Sequence, residues 1–199
     1  MANKTLDLDD YISQRKEKEP EFANDFDTGY EEFKIGMMPG SRPQEIEKHT
    51  KLFWQAFLEI KKILPNAKAY LFAVPEVSDE TLFSHIGGKN EDFNIVREQD
   101  YKIRSTMDFV ITCSGTATLE NALLGLPMVV VYKLSWITYY IARMIIQVPY
   151  ISLVNILRHQ SVVKELIQKD ANAGEIAKET CSVLGSSKRF NTMRKNMLA

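Results

Sequence analysis

Residues 108–133 constrain this chain more than any other stretch. Phe109 to Cys113 is a short apolar run suited to a buried strand. Ser114-Gly115-Thr116 interrupts it and supplies capping groups. Ala117 to Leu124 contains good helix formers, and Gly125 with Pro127 just beyond ends that helix. Met128 to Tyr132 is a second run, rich in β-branched residues. Strand, turn, helix, turn and strand in this order form a crossover unit, the building block of a parallel sheet. Ligands of such sheets gather at the carboxyl ends of the strands. Ser114, Gly115 and Thr116 fall there, and the amides opening the following helix favour anions such as phosphate. Glu120 lies one turn beyond Thr116 on the same face, where a carboxylate can accept hydrogen bonds from a sugar diol.

The upstream chain repeats the pattern. Phe33 to Met38 reads as a strand, and Pro39-Gly40-Ser41-Arg42 as a turn. Pro43 opens a helix to about Leu64, with Ile46, Phe53, Phe57, Ile60 and Leu64 at three- and four-residue steps. Lys68 to Val74 is the next strand, 77–86 a helix stopped by Gly87-Gly88, and Phe93 to Val96 a third strand. A short helix around Tyr101–Ser105 leads into the opening unit. The order βαβαβαβαβ predicts an α/β fold: a Rossmann-like parallel sheet with helices on both faces. The turn at 39–42 then emerges beside residues 114–116. Gly40 permits close backbone approach, Ser41 offers a hydroxyl, and Arg42 brings a planar cation suited to phosphate oxygens. Two amide-rich turns and one Arg at one sheet edge make a diphosphate cradle.

Beyond Lys133, residues 134–151 are apolar and aromatic but interrupted by Arg143 and Pro149, too short to span a bilayer. A core or dimer-interface helix, a membrane-surface segment and a packed lid are the competing readings. Residues 152–157 read as a strand end or loop containing Asn155, 160–169 as a helix, 173–184 as another helix, and 186–199 as a basic tail. Residues 1–32 are polar and of mixed charge, a solvated extension or linker. With 45% apolar residues, 26% charged and a net charge of -1, nothing draws the chain to nucleic acid. Cys113 and Cys181 are too few for a disulfide framework or a metal set, and Cys113 reads as a small buried apolar residue. Met1 to Thr5 lacks an apolar signal core, so a cytoplasmic setting is expected. His49 is placed on an exposed or boundary helix position, His85 at a helix end and His159 in a loop. There is no zinc spacing, Walker loop, nucleophile elbow or GxGxxG fingerprint.

Three blocks in order resemble the lipid-A-disaccharide synthase family. They are Met38-Pro39-Gly40-Ser41-Arg42 with Glu45-Ile46, then Ser114 to Glu120 with Pro127 to Val130 and Tyr132-Lys133, then Val148 to Leu157 followed by Val163 to Gln168. The resemblance covers about residues 33–185. Arg158-His159-Gln160 departs from the family's small Ala-Gly turn, and Lys164 stands where the family has Pro.

The resemblance implies an inverting, metal- and cofactor-independent GT-B glycosyltransferase. It would transfer 2,3-diacylglucosamine from UDP to 2,3-diacylglucosamine 1-phosphate, giving the lipid A disaccharide. Residues 33–185 would be the C-terminal, UDP-donor-binding half. Gly40, Ser41 and Arg42 would meet the donor phosphates, with Arg42 stabilising the leaving group. Ser114, Gly115 and Thr116 would meet the diphosphate through amides, and Glu120 the ribose. Asn155, Glu165 and Gln168 would line the donor side. The acidic base belongs to the family's N-terminal half, which nothing in residues 1–32 resembles. Activity is therefore expected only with a separate N-terminal half or an oligomeric partner. Residues 134–151 would suit peripheral contact with the inner membrane. The alternatives are a non-catalytic nucleotide-sugar-binding or assembly module, and another GT-B enzyme acting on UDP-GlcNAc, such as a 2-epimerase.

Overall fold

The apolar runs become the strands of one parallel sheet. A computed structural model describes residues 33–97, 100–113, 115–133 and 150–198, the side chain of Gln44 excepted. The expectations for residues 1–32, for Ser114 and for 134–149 lie outside the described residues. The elements are β1 (Lys34–Met38), α1 (Pro43–Lys61), β2 (Lys68–Phe72), α2 (Asp79–Ile86), β3 (Phe93–Val96), a 3-10 turn (Arg104–Thr106), β4 (Phe109–Cys113), α3 (Thr116–Leu123), β5 (Met128–Tyr132), α4 (Leu153–Arg158), β6 (Lys164–Ile167), α5 (Ala173–Leu184) and α6 (Ser187–Leu198).

Among the described residues the sheet has six strands in the order β3-β2-β1-β4-β5-β6. Every pairing is parallel, and Met38 at the end of β1 stands beside Thr112 near the end of β4. The fold is Rossmann-like α/β, as the alternation of elements predicts. All five residues of β4 are buried, and so are Met128 to Val131 of β5. That is the pattern of central strands covered on both faces. The apolar stripe of α1 packs against α5, with Phe53 and Phe57 fully buried and Trp54 stacked on Phe57 at 5.2 Å. Each buried ring contributes about 1.5–3 kcal/mol through removal of apolar area from water. α3 packs on β4 and α4, while α6 touches both α5 and α3. At the opposite end of the sheet, the Lys34 amide donates to Asp108 Oδ2 at 2.7 Å, tying β1 to the start of β4. Burial raises the Asp108 pKa, and the Lys34 amide opposes that shift.

Two elements differ from the sequence reading. Residues 153–158 are helix rather than strand end or loop, and Lys164–Ile167 is a sixth strand rather than part of a helix. Leu166 and its neighbours carry helix-compatible spacing, but pairing with Val129 to Tyr132 decides the outcome. As an edge strand, β6 keeps Lys164 and Glu165 half-exposed. Just ahead of α4, a carboxylate from β6 gathers the Ile151 and Ser152 amides, described below.

Candidate functional site

The strand order reverses between β1 and β4: β2 and β3 extend to one side, β5 and β6 to the other. Crossovers on either side of such a point leave by opposite faces, opening a crevice at the carboxyl ends of the two central strands. The turns after those strands are Pro39–Arg42 and the one containing Gly115. Both flank the crevice, as their positions in the sequence predict.

Gly40 sits at φ 106°, and a Cβ there would lie 2.6 Å from Glu45 Oε2. The left-handed φ, more than the contact with the movable end of Glu45, favours glycine here, and the first turn stays tight against the start of α1. The Arg42 carbonyl accepts from the Glu45 and Ile46 amides, both at 2.9 Å. Its side chain is 81% exposed, and Nη1 donates to Glu45 Oε1 at 3.1 Å. Gly115 caps α3 at φ 145° with no side-chain cap. Among the described residues other than its chain neighbours, nothing lies within 4 Å of where its Cβ would be. On that side the described residues leave room for a ligand close to the backbone, beside the amides that begin α3. Thr118 Oγ1 donates to the Gly115 carbonyl at 2.8 Å and steadies the turn.

A buried cluster staples the two turns together. Pro39 O lies 3.1 Å from His49 Nδ1 and accepts from Cys113 Sγ at 3.2 Å, while Nδ1 and Sγ are 3.0 Å apart. His49 is therefore buried, contrary to its expected exposed or boundary position; it lies on the face of α1 that meets the ends of β1 and β4. Burial lowers the His49 pKa, aided by Lys133 and Lys48, against the Pro39 hydrogen bond and Glu45, which raise it. Cys113 is buried, as its place in an apolar run implies, and burial pushes its thiol pKa up, Glu45 adding to the effect. With a neutral ring, Nδ1–H serves the Pro39 carbonyl. Nε2 then carries only a lone pair and has no partner among the described residues. Because the folded ring resists protonation while the unfolded ring titrates at the ordinary 6.5, the unfolded state binds more protons once the pH drops below that value. Stability is then fully present above pH 6.5 and falls with decreasing pH, with a limiting slope of about 1.4 kcal/mol per unit from this residue. Urea titrations from pH 7.5 to 5 should show a shallower decline for His49→Gln; an identical decline would refute the assignment.

Glu120 is held by a residue that the sequence reading passed over. Arg104, only 8% exposed, donates from Nη1 to Glu120 Oε2 at 2.6 Å, from Nε to Asn121 Oδ1 at 2.8 Å and from Nη2 to Ala117 O at 3.1 Å. No local spacing signals these contacts, since the partners lie 13 to 17 residues away.

Asn155 stands on α4, Glu165 on β6, two strands from β4, and Gln168 just beyond β6. Glu165 Oε1 accepts from the Ser152 amide (2.9 Å), Ser152 Oγ (2.6 Å) and Asn155 Nδ2 (2.8 Å), and Oε2 accepts from the Ile151 amide (2.9 Å). Asn155 Oδ1 accepts from the Val162 and Val163 amides at 2.8 and 3.0 Å, and Nδ2 also reaches the Val163 carbonyl at 2.8 Å. These two side chains join α4 to β6. They also edge a cavity of about 420 Å³ along β6, with Lys164, Glu179 and Arg189. Gln168 follows β6 at φ 53°, its amide donating to Tyr132 O at 3.0 Å.

The sheet order and its crevice define a Rossmann-like α/β domain, and solved structures similar to it are proteins of the GT-B type. WaaG, a glycosyltransferase involved in lipopolysaccharide biosynthesis, matches with a TM-score of 0.55 and 12% identity, covering 96% of this chain and 46% of that one. The UDP-GlcNAc 2-epimerase of Neisseria meningitidis bound to UDP-GlcNAc matches with a TM-score of 0.56 and 13% identity, covering 94% and 48%. At such identities the likeness concerns the fold. The family model described as lipid-A-disaccharide synthetase matches residues 8–198, taking in most of the N-terminal stretch that carries no recognisable motif. The lipid-A-disaccharide synthase of Nitrosococcus oceani is 32% identical over 165 residues, 83% of this chain and 43% of that protein. The chain belongs to the lipid-A-disaccharide synthase family. It spans less than half the length of the curated relatives it matches.

Proposed function

We propose that this chain is the UDP-sugar-binding half of a lipid-A-disaccharide synthase. The observation that carries the reading is the pair of glycine turns stapled through Pro39, His49 and Cys113 at the β1/β4 crevice, with Arg42 above one turn and Glu120 one helical turn beyond the other. In the reaction, an acceptor hydroxyl attacks the anomeric carbon of a UDP-linked diacylglucosamine. Its proton passes to a base on the facing half, the anomeric C–O bond breaks, and UDP departs. Negative charge grows on the departing diphosphate, and on this reading the amides at Gly115 and Thr116 and the Arg42 guanidinium receive it. Glu120 takes the ribose hydroxyls. Residues 134–151 contact the membrane surface that holds both lipid substrates; among the described residues no helix is long and apolar enough to cross a membrane.

The test is direct binding. Titration calorimetry should detect UDP at sub-millimolar to millimolar affinity, and Glu120→Ala should weaken it about tenfold, the loss of a charge-assisted hydrogen bond. Mixing with an N-terminal half from a family member should then restore sugar transfer. No heat with millimolar UDP would sink the reading.

A further inference from the structure

Glu120 stands on α3 with its side chain 36% exposed, yet one of its two carboxylate oxygens is already fixed. Arg104 approaches from the segment between β3 and β4, and three of its donor contacts end on α3. The Tyr101 ring covers the guanidinium at 5.3 Å, from a residue that itself lies at φ 60°. A cation clamped by three hydrogen bonds and an aromatic face keeps one orientation. It therefore holds Glu120 Oε2 in one place. Oε1 has no partner among the described residues. An ionised carboxylate only accepts hydrogen bonds, so whatever meets Oε1 must bring donors, as hydroxyl groups do. Arg104 also sets a positive charge against Glu120. Without it, the carboxylate would present an uncompensated negative charge to a diphosphate bound at the neighbouring turns.

We propose that Arg104 is the positioning residue that makes Glu120 selective for a nucleotide with an intact ribose diol. This rests on the reading of Glu120 as the ribose contact. A carboxylate held by one oxygen presents the other in a fixed direction, so that loss of a single hydroxyl leaves the site unsatisfied. A carboxylate free to rotate finds other partners and discriminates poorly.

The experiment compares UDP with 2′-deoxy-UDP by calorimetry on the full chain, for the wild type, Arg104→Met, Glu120→Gln and the double variant. The wild type is expected to prefer UDP about tenfold, and Arg104→Met to reduce that preference to about twofold, with the larger loss on UDP. The double variant should show the same preference as Glu120→Gln, because Arg104 acts through that carboxylate. A residue that only supports the fold would weaken both nucleotides equally, and that result overturns the proposal. If Arg104→Met does not fold, Arg104→Lys keeps the cation without the fork, and a preference equal to the wild type's in that variant also overturns it. A wild type that binds neither nucleotide fails the donor-site reading itself. A wild type that prefers UDP, with the variants retaining that preference, fails only the assignment of Arg104.

Discussion

Replacing Arg42 by alanine is expected to weaken UDP binding about ten- to hundredfold, the range for hydrogen bonds to a charged group, and to leave uridine binding unchanged. The Arg42 side chain is 81% exposed and, among the described residues, is tied to Glu45, three residues on. An exposed pair of this kind is worth about 0–1 kcal/mol. Exchanging it for phosphate oxygens is therefore cheap, and the fork is free to turn toward the crevice. The same argument makes the substitution harmless to folding, with a stability change of about 0.5 kcal/mol or less. In a preparation assembled with the facing half, turnover should fall roughly 10²- to 10³-fold, because the charge that Arg42 meets grows as the diphosphate departs. Equal losses for UDP and uridine would place Arg42 on the nucleoside rather than the phosphates.

How much of this was legible in the sequence depends on how far apart the interacting residues lie. Gly40 and Gly115 announce themselves, because a glycine between an apolar run and a helix has few other uses, and strand, turn and helix follow one another locally. The β1, β4 and β5 runs are mostly apolar, Lys34 and Thr112 apart, which suits strands covered on both faces, so the central sheet could be read directly. Arg104 could not be read as a site residue. It stands in a polar stretch, and its meaning comes from Glu120 and Asn121 on a different element. His49 and Cys113 are 64 positions apart. Nothing in the neighbourhood of His49 shows that one face of α1 meets the ends of two strands. The stretch 152–168 was misread for a related reason. Its local preferences are evenly balanced between helix and strand, and the balance is tipped by the pairing of β6 with β5 and by one carboxylate.

That carboxylate gives the second large effect. Glu165→Ala should lower stability by about 2–4 kcal/mol, because it removes the acceptor of four hydrogen bonds, from the Ile151 and Ser152 amides, Ser152 Oγ and Asn155 Nδ2. Urea unfolding should show a lower midpoint with an unchanged slope. Glu165→Gln should recover part of the loss, since its single carbonyl oxygen still accepts while its amide nitrogen cannot. The contrast with Arg42 is the informative part. The family resemblance places Glu165 on the donor side, but here both its oxygens are already used in joining α4 to β6. At temperatures where the variant remains folded, UDP affinity should equal that of the wild type. The cap holds a junction on β6, two strands from β4, so a nucleotide bound at the proposed β1/β4 site is expected to keep its affinity. A variant of normal stability with tenfold weaker UDP binding would reverse this conclusion and return Glu165 to the ligand.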